Sequence, residues 1–320
     1  MRASSLPTRG RLAADLALLA VTAVWGSTFV MVKDAVAQYP VLPFIALRFA
    51  VAGLALAPVA WSARRAFRPS DLPAGIGAGI FLFAGYTLQT LGLQQTTASK
   101  AGFITGLSVV LVPLFGALLW RHLPSWRAVL GTILATAGLG LLSLNADWSV
   151  QRGDLLVLGC AVSFAGHITA LGALSPGRAP CILTLIQALT TAVLSSTLVV
   201  GQGGFPALPA PVAHAALFTG VAATAIAFLV QTAAQRFTSA NHTALIFTAE
   251  PVFAALFGVA VAGETLTSRG WLGCVVILVG VILGALAQPA TKGEELREPA
   301  QMAGHIRPAT DSARITSVDR

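Results

Sequence analysis

Charge is scarce in this chain. Asp, Glu, Lys and Arg supply 10% of its 320 residues, against about 25% in an average soluble domain. Hydrophobic residues make up 56% and the mean hydropathy is +0.79. One soluble core cannot hide that much apolar surface, which excludes an ordinary water-soluble enzyme. Cysteine is scarce too. Cys160, Cys181 and Cys274 lie in or at apolar runs with no paired spacing, which excludes a disulfide framework or a zinc knot. The five histidines are scattered, and a membrane-embedded enzyme would need His, Asp or Glu clustered near one leaflet. No catalytic activity, metal or cofactor is therefore expected. Gly75-Ile-Gly-Ala-Gly79 follows no strand, so it is no nucleotide loop; small residues inside an apolar helix serve close helix approach.

What the chain has in abundance is long apolar runs. A spanning helix needs roughly 20 apolar residues. Ten runs qualify: Ala13–Val32, Pro43–Trp61, Ala74–Leu93, Ala101–Trp120, Ala128–Leu144, Leu155–Leu174, Ile182–Gly201, Val212–Ala233, Ala240–Val261 and Trp271–Leu286. The expected fold is an all-α integral membrane protein with the lipid bilayer as its solvent. Residues 1–12 read as a cytoplasmic N-terminal segment. Residues 287–320, polar and rich in charge, read as a disordered cytoplasmic tail.

The formal charge of +8 needs no nucleic acid to explain it. With the N-terminus inside, fifteen of the twenty Lys and Arg fall in cytoplasmic segments; Lys33, Lys100, Arg152 and Arg269 fall outside. Positive residues concentrate on the cytoplasmic side of membrane proteins. Both termini are then cytoplasmic, and the expected location is the cell inner membrane.

The chain also repeats itself. A shift of 142 residues lays Gln89-Thr90 on Gln231-Thr232, Leu114-Phe115-Gly116 on Leu256-Phe257-Gly258, Leu130-Gly131 on Leu272-Gly273, and Gly138 on Gly280. Earlier, a shift of 139 lays Asp15 on Asp154, Trp25 on Phe164 and Arg48 on Gln187. The first copy covers 13–144 and the second 153–286. Each holds five runs, an odd number, so the second copy enters the membrane from the opposite side. Ten transmembrane helices as two inverted five-helix repeats are a recurring plan of secondary transporters.

Trp25-Gly-Ser-Thr-Phe29, Leu47-Arg-Phe49, Thr97-Ala-Ser-Lys-Ala101, Ala249-Glu-Pro-Val252 and Gly263-Glu-Thr-Leu266 carry a resemblance. The chain resembles an EamA-type member of the drug/metabolite transporter superfamily over residues 13–286. It departs at Arg121-His-Leu123, where the family has a Gly-Glu-Arg-like turn. The resemblance implies a ten-helix bundle moving small organic metabolites, amino acids or related compounds among them, with export as the expected direction. A flippase for lipid-linked sugars belongs to the same superfamily and is the alternative.

Three charged residues lie within the runs: Asp15, Arg48 and Glu250. Asp15, near an end, reads as a helix-start cap like its match Asp154. Glu250 sits about 15 Å deep, near the midplane. A carboxylate there costs roughly 2.5–3.5 kcal/mol on insertion scales, so it must face the interior, find a cation or bind a proton. Proton-coupled transport follows as an expectation. Pro251 beside it and Pro113 in the first copy are candidate hinges, with Gly26 a third. Thr243, Phe247 and Glu250 share one helix face, and Thr105 and Ser108 are the repeat mates of the last two. Arg48 could hold a substrate carboxylate bidentately. An aromatic wall is expected from Trp25, Tyr86, Phe103 and Phe228, and gates at Gln89 and Gln231. Gly280-Val-Ile-Leu-Gly284 has the spacing of a homodimer face, or of internal packing.

Reporter fusions check the orientation. Fusions after Arg68, at Pro124 and in the tail should report cytoplasm; fusions near Gln38, Asp147 and Gln202 should report the outside. A cytoplasmic signal from Gln202 would break the inverted repeat.

Overall fold

The computed structural model describes residues 8–96, 98–120, 124–143, 151–262 and 265–286. Within them every regular element is helical. The Arg121-His-Leu123 departure, Gly263-Glu264, Thr97, Asp147, the first seven residues and the tail from 287 lie outside the described residues.

The first half comprises α1 (Thr8–Gln38), α2 (Val41–Ser62), α3 (Asp71–Leu93), α4 (Ala98–Gly106), α5 (Ser108–Trp120) and α6 (Trp126–Ser143). The second comprises α7 (Arg152–Leu174), α8 (Pro180–Gly201), α9 (Ala210–Gly220), α10 (Ala227–Ala234), α11 (Ala240–Phe247), α12 (Glu250–Ala262) and α13 (Ser268–Leu286). A π-helical turn, Val221–Ile226, joins α9 to α10. Among the described residues, six helical stretches are long and apolar enough to cross a membrane, or seven if the bent α1 counts as one. Their outward side chains need lipid: Leu118 is 79% exposed and Leu54 75%. A backbone in lipid must satisfy its polar groups internally, which is why the runs are helices.

Local chemistry sets the ends. Gln151 and Asp154 form a reciprocal capping box at the start of α7. Proline opens α8 and the first turn of α9, where its missing N–H costs nothing. Asp15 does not cap as expected, because α1 begins seven residues earlier at Thr8. It instead meets His242 Nε2 of α11 at 2.9 Å. Helix α1 bends by 41° between Leu12–Thr28 and Val30–Gln38. Ser27 and Thr28, just before the bend, turn their hydroxyls back onto the carbonyls of Val24 and Trp25, a bond that bends helices. At the far end of α1, the buried Tyr39 hydroxyl donates to the Pro206 carbonyl. Burial raises its phenol above the usual range, so it stays a donor.

The element boundaries repeat. Shifting α2 by 139 residues gives the bounds of α8, and shifting α5 by 142 gives those of α12. Both halves break one run in the same place: α4 stops at Gly106 and resumes at Ser108, while α11 stops at Phe247 and resumes at Glu250. The turns tighten there: Leu107 N–H is shared between Ile104 O at 3.1 Å and Phe103 O at 3.2 Å, so the helix carries on as one span from Ala101 to Leu119, while Ala249 N–H bonds Ile246 O at 3.0 Å. The packing exchanges likewise: α3 lies on α7 as α1 lies on α9 and α10, and α5 meets α7 as α12 meets α1.

Helices α6 and α13 are each other's main partners, and they run antiparallel. A Cβ on Gly131 would sit 2.8 Å from Gly280 O, and one on Gly280 would sit 2.7 Å from Gly131 O. Gly138 and Gly273 face each other in the same reciprocal way, each 2.8 Å from the other's carbonyl. Gly284 packs on Leu245. The Gly280–Gly284 spacing is therefore spent inside the chain, and the homodimer face expected there is not free. Gly75 and Gly79 likewise admit Ile186 and Thr190 of α8.

Gly138→Leu should push α6 off α13. Overpacking of this kind costs about 1–3 kcal/mol, so the thermal midpoint of the detergent-purified protein should fall. Gly116→Ala, where added bulk meets nothing within 4 Å, should leave the midpoint unchanged.

Candidate functional site

Both helix breaks face one central cavity of about 100 Å³, room for several waters or a compact solute. Helices α1, α2, α3, α4, α5, α7, α10, α11, α12 and their turns contribute to its wall. Its titratable side chains are Arg48, Tyr86, His167 and Glu250.

Arg48, on α2, is buried. Its Nε donates to Thr224 Oγ1 at 2.7 Å, and its Nη2 to Tyr86 Oη and the Ala223 carbonyl, each at 3.3 Å. Its guanidinium carbon lies 4.6 Å from the Tyr86 ring centroid, a cation–π contact. Thr224 and Ala223 belong to the π turn, whose wider winding releases backbone groups from the ordinary ladder. Ala223 O also accepts from Trp25 Nε1 at 2.8 Å. The π turn thus anchors a cation and an indole from two other helices.

Glu250 is the first residue of α12, where the helix dipole favours a negative charge. It is partly accessible and lines the cavity. Among the described residues its carboxylate has no hydrogen-bond or ion-pair partner; the ion pairs described are Arg178–Asp71 and His242–Asp15. The pair between Arg48 and Glu250 is not formed, because Arg48 is held by the π turn and Tyr86. Gly26 lets α1 approach this point: a Cβ there would sit 2.8 Å from both Glu250 O and Ala254 N. Its role is close contact with the break, while the hydroxyls after it carry the bend.

An aromatic row crosses the cavity. Phe247 meets Trp25 at 4.9 Å, Trp25 meets Phe228 at 5.5 Å, Phe228 meets Tyr86 at 6.1 Å, and Tyr86 meets Phe164 at 5.4 Å. Thr105, Ser108, Gln89, Gln231 and Pro251 also line the cavity. Gln89 Nε2 donates to Thr105 Oγ1 at 3.3 Å, and Gln231 Nε2 to Gln235 Oε1 at 3.1 Å. Gln231 Oε1 is buried without a partner among the described residues.

Three expected positions fall elsewhere. Phe103 packs into the cluster of Leu139, Val252, Cys274 and Ile277. Thr243 is buried, its hydroxyl on the Ser239 carbonyl. Pro113 sits inside α5, six residues past the break at Leu107, so it does not interrupt the run; Pro251 does stand at the break, as the second residue of α12. His167 and Thr224 were missed. His167 Nε2 lies 2.7 Å from Gln187 Oε1, and both were legible by symmetry: the 139-residue shift lays His167 on Thr28 and Gln187 on Arg48. Nothing in the sequence marks the π turn that presents Thr224.

A polar, aromatic-walled cavity inside a bundle of lipid-facing helices defines the class, a membrane protein with an internal solute site. The EamA-like transporter family matches residues 12–144 and again 151–285. The chain belongs to this family and is a multi-pass membrane protein. An uncharacterized transporter of Archaeoglobus fulgidus is 36% identical over 276 residues, covering 86% of this chain and 87% of the relative. The uncharacterized inner membrane transporter YedA of Escherichia coli is 26% identical, covering 85% and 90%. The uncharacterized transporter YwfM of Bacillus subtilis is also 26% identical, covering 88% and 96%. A solved crystal structure of a protein 19% identical matches with a TM-score of 0.73 over 86% of this chain and 97% of that one, a likeness of fold alone. Family and relatives point to a transporter rather than an enzyme.

Thr224→Val should leave a buried guanidinium donor unmet. A hydrogen bond to a charged group is worth about 1.5–3 kcal/mol, so the thermal midpoint should fall. Arg48→Lys should fall with it, since an ammonium cannot reach Thr224, Tyr86 and Ala223 in one fork.

Proposed function

We propose that the protein is a secondary carrier of small organic molecules in the cell inner membrane, working by alternating access and driven by protons through Glu250. The observation that carries this is the pair of irregular turns, at Leu107 and at Thr248–Ala249. They fall at positions related by the 142-residue shift, and residues beside both line the one cavity described. Irregular backbone at membrane depth is tolerated where it lines a cavity, and paired breaks of this kind hold solutes in carriers.

Ten crossings in two inverted repeats, 13–144 and 153–286, with both termini cytoplasmic, fit the antiparallel contact of α6 with its counterpart α13. Inverted halves can exchange conformations about a fixed site, so the inward-open and outward-open forms are near mirror images. The family resemblance supports export as the direction. Gln89 and Gln231, repeat mates on opposite halves, suit gates that open in turn. Arg48, Trp25 and Tyr86 form the fixed wall around the π turn, and Phe247, Thr105 and Ser108 line the moving breaks. A cavity of about 100 Å³ favours a compact solute over a lipid-linked sugar.

Glu250 suits a coupling role because its carboxylate is reachable from the cavity and has no fixed partner among the described residues. A carboxyl in so dry a place is stable when it faces a cation or carries a proton. Alternation between those two states links the solute to the proton.

Liposomes holding the purified protein and a pH-sensitive dye test this. Addition of a panel of amines and amino acids should change the internal pH, and Glu250→Gln should abolish the change while the variant still purifies as a folded monodisperse species. Solute uptake that is equal with and without a pH gradient, and unaltered by Glu250→Gln, would end the coupling proposal.

A further inference from the structure

Two pairs of helices join the halves, and the repeat relates one pair to the other. Helix α3 packs on α7, and α1 packs on α9 and α10. The first pair is clasped at both ends by an acid at the start of a helix. Asp71, the first residue of α3, accepts the Arg68 N–H on Oδ2 at 2.9 Å, and its Oδ1 lies 3.1 Å from Arg178 Nε, just past the end of α7. Asp154, in the first turn of α7, accepts the Gln151 N–H on Oδ2 at 2.9 Å, and its Oδ1 accepts from the Thr96 hydroxyl, just past the end of α3. Each acid thus gives one oxygen to its own helix start, where negative charge is favoured, and the other to the opposite half.

Glycine closes the seam between those clasps. A Cβ on Gly92 would lie 2.9 Å from Gly153 O, and one on Gly153 would lie 2.8 Å from Gly92 O. Gly85 admits the Phe164 ring and Gly166 the Phe81 ring. Small residues let two backbones approach closely, which is what holds helices together in lipid. The related pair lacks all four glycines. The 142-residue shift lays Gly85 on Ala227 and Gly92 on Ala234, and the 139-residue shift lays Ala14 on Gly153 and Ser27 on Gly166. Its helices are irregular as well: the π turn separates α9 from α10, and α1 bends by 41°. Trp25 Nε1 pins α1 to that turn at Ala223 O, just before the bend. On either side of the pin, α1 is latched to the second half: Asp15 Oδ1 meets His242 Nε2 at 2.9 Å, and past the other end the Tyr39 hydroxyl donates to Pro206 O at 3.2 Å.

We propose that α3 and α7 form a fixed post on which the halves stay joined, and that α1 is a two-armed gate pivoting at its pin on the π turn. The Leu12–Thr28 arm closes one face of the cavity and the Val30–Gln38 arm closes the other. Asp15–His242 and Tyr39–Pro206 are the latches of those two faces. The inference rests on the carrier reading. Trp25, Thr28 and Val32, which straddle the bend, all line the cavity, so both arms border the solute. A kink beside a fixed point lets one arm swing while the other stays shut, which is what alternating access requires.

Spin labels on the full-length protein in lipid nanodiscs test the proposal. The three native cysteines are buried, so introduced cysteines take the label. Labels at Leu72 and Ala173, and at Gln95 and Leu155, report the two ends of the post. Labels at Leu12 and Phe237, and at Gln38 and Phe205, report the two arms. All of these positions are exposed. Each post pair should give one narrow distance, and each arm pair a broader distribution. Asp15→Ala should broaden the Leu12–Phe237 distance alone, and Tyr39→Phe the Gln38–Phe205 distance alone. An ethane-bridged bis-methanethiosulfonate across either arm pair should abolish the pH-dye response in liposomes, and the same bridge across Gln95 and Leu155 should leave it intact. Post distances as broad as those of the arms, latch variants that move neither arm, or a dye response that survives a bridged arm overturns the proposal. The carrier reading fails separately: protein that gives no dye response before bridging sinks that reading, and the distances still decide the gate.

Discussion

A peptide group in lipid has no water to turn to, so each irregularity in a spanning chain must be satisfied by protein or open onto a cavity. The irregularities of this chain obey that constraint together. The π turn at Val221–Ile226 offers Ala223 O to Trp25 and Arg48, and Thr224 to Arg48. The break at Leu107 and the break at Thr248–Ala249 keep tight three-residue bonds and border the same space. Regular helix elsewhere supplies the bundle, and departures from it supply the site.

The all-helical membrane class and the internal repeat were legible because their signals are spaced by geometry. Apolar runs of membrane length, a scarcity of charge, and a 142-residue echo of Gln, Thr and Gly positions all survive without tertiary knowledge. Glu250 and Arg48 stood out for the same reason, as charges where charge is expensive. What tertiary contact decides was hidden. Proline at 113 looked like the interruption of its run, yet the irregular turn is at Leu107, where Gly106 packs on Leu139. Asp15 looked like a cap and instead joins α1 to His242. Phe103 was expected in the aromatic wall and Thr243 on the face of Phe247 and Glu250, and packing places the first in a core cluster and the second on the Ser239 carbonyl. Arg48 looked free for an anion because nothing in the sequence marks a π turn as its partner.

Broken helices also divide the labour between the two charged residues. Arg48 lies on the continuous α2 and is held at several atoms, so its position follows the scaffold. Glu250 lies at the start of α12, beside a turn with few bonds, and α1 reaches it only because Gly26 has no side chain. The two therefore have differently built supports although they share one cavity.

The glycine seam between α6 and α13 has an evolutionary consequence. Gly131 opposes Gly280 and Gly138 opposes Gly273, while the repeat lays Gly131 on Gly273 and Gly138 on Gly280. The seam is thus one pair of positions used twice in opposite directions. An ancestral half-length chain with glycine at those two positions would already carry the whole surface needed to join an antiparallel copy of itself. Gene fusion would inherit the joint ready-made, and a bulky residue arising in either half would be felt by both.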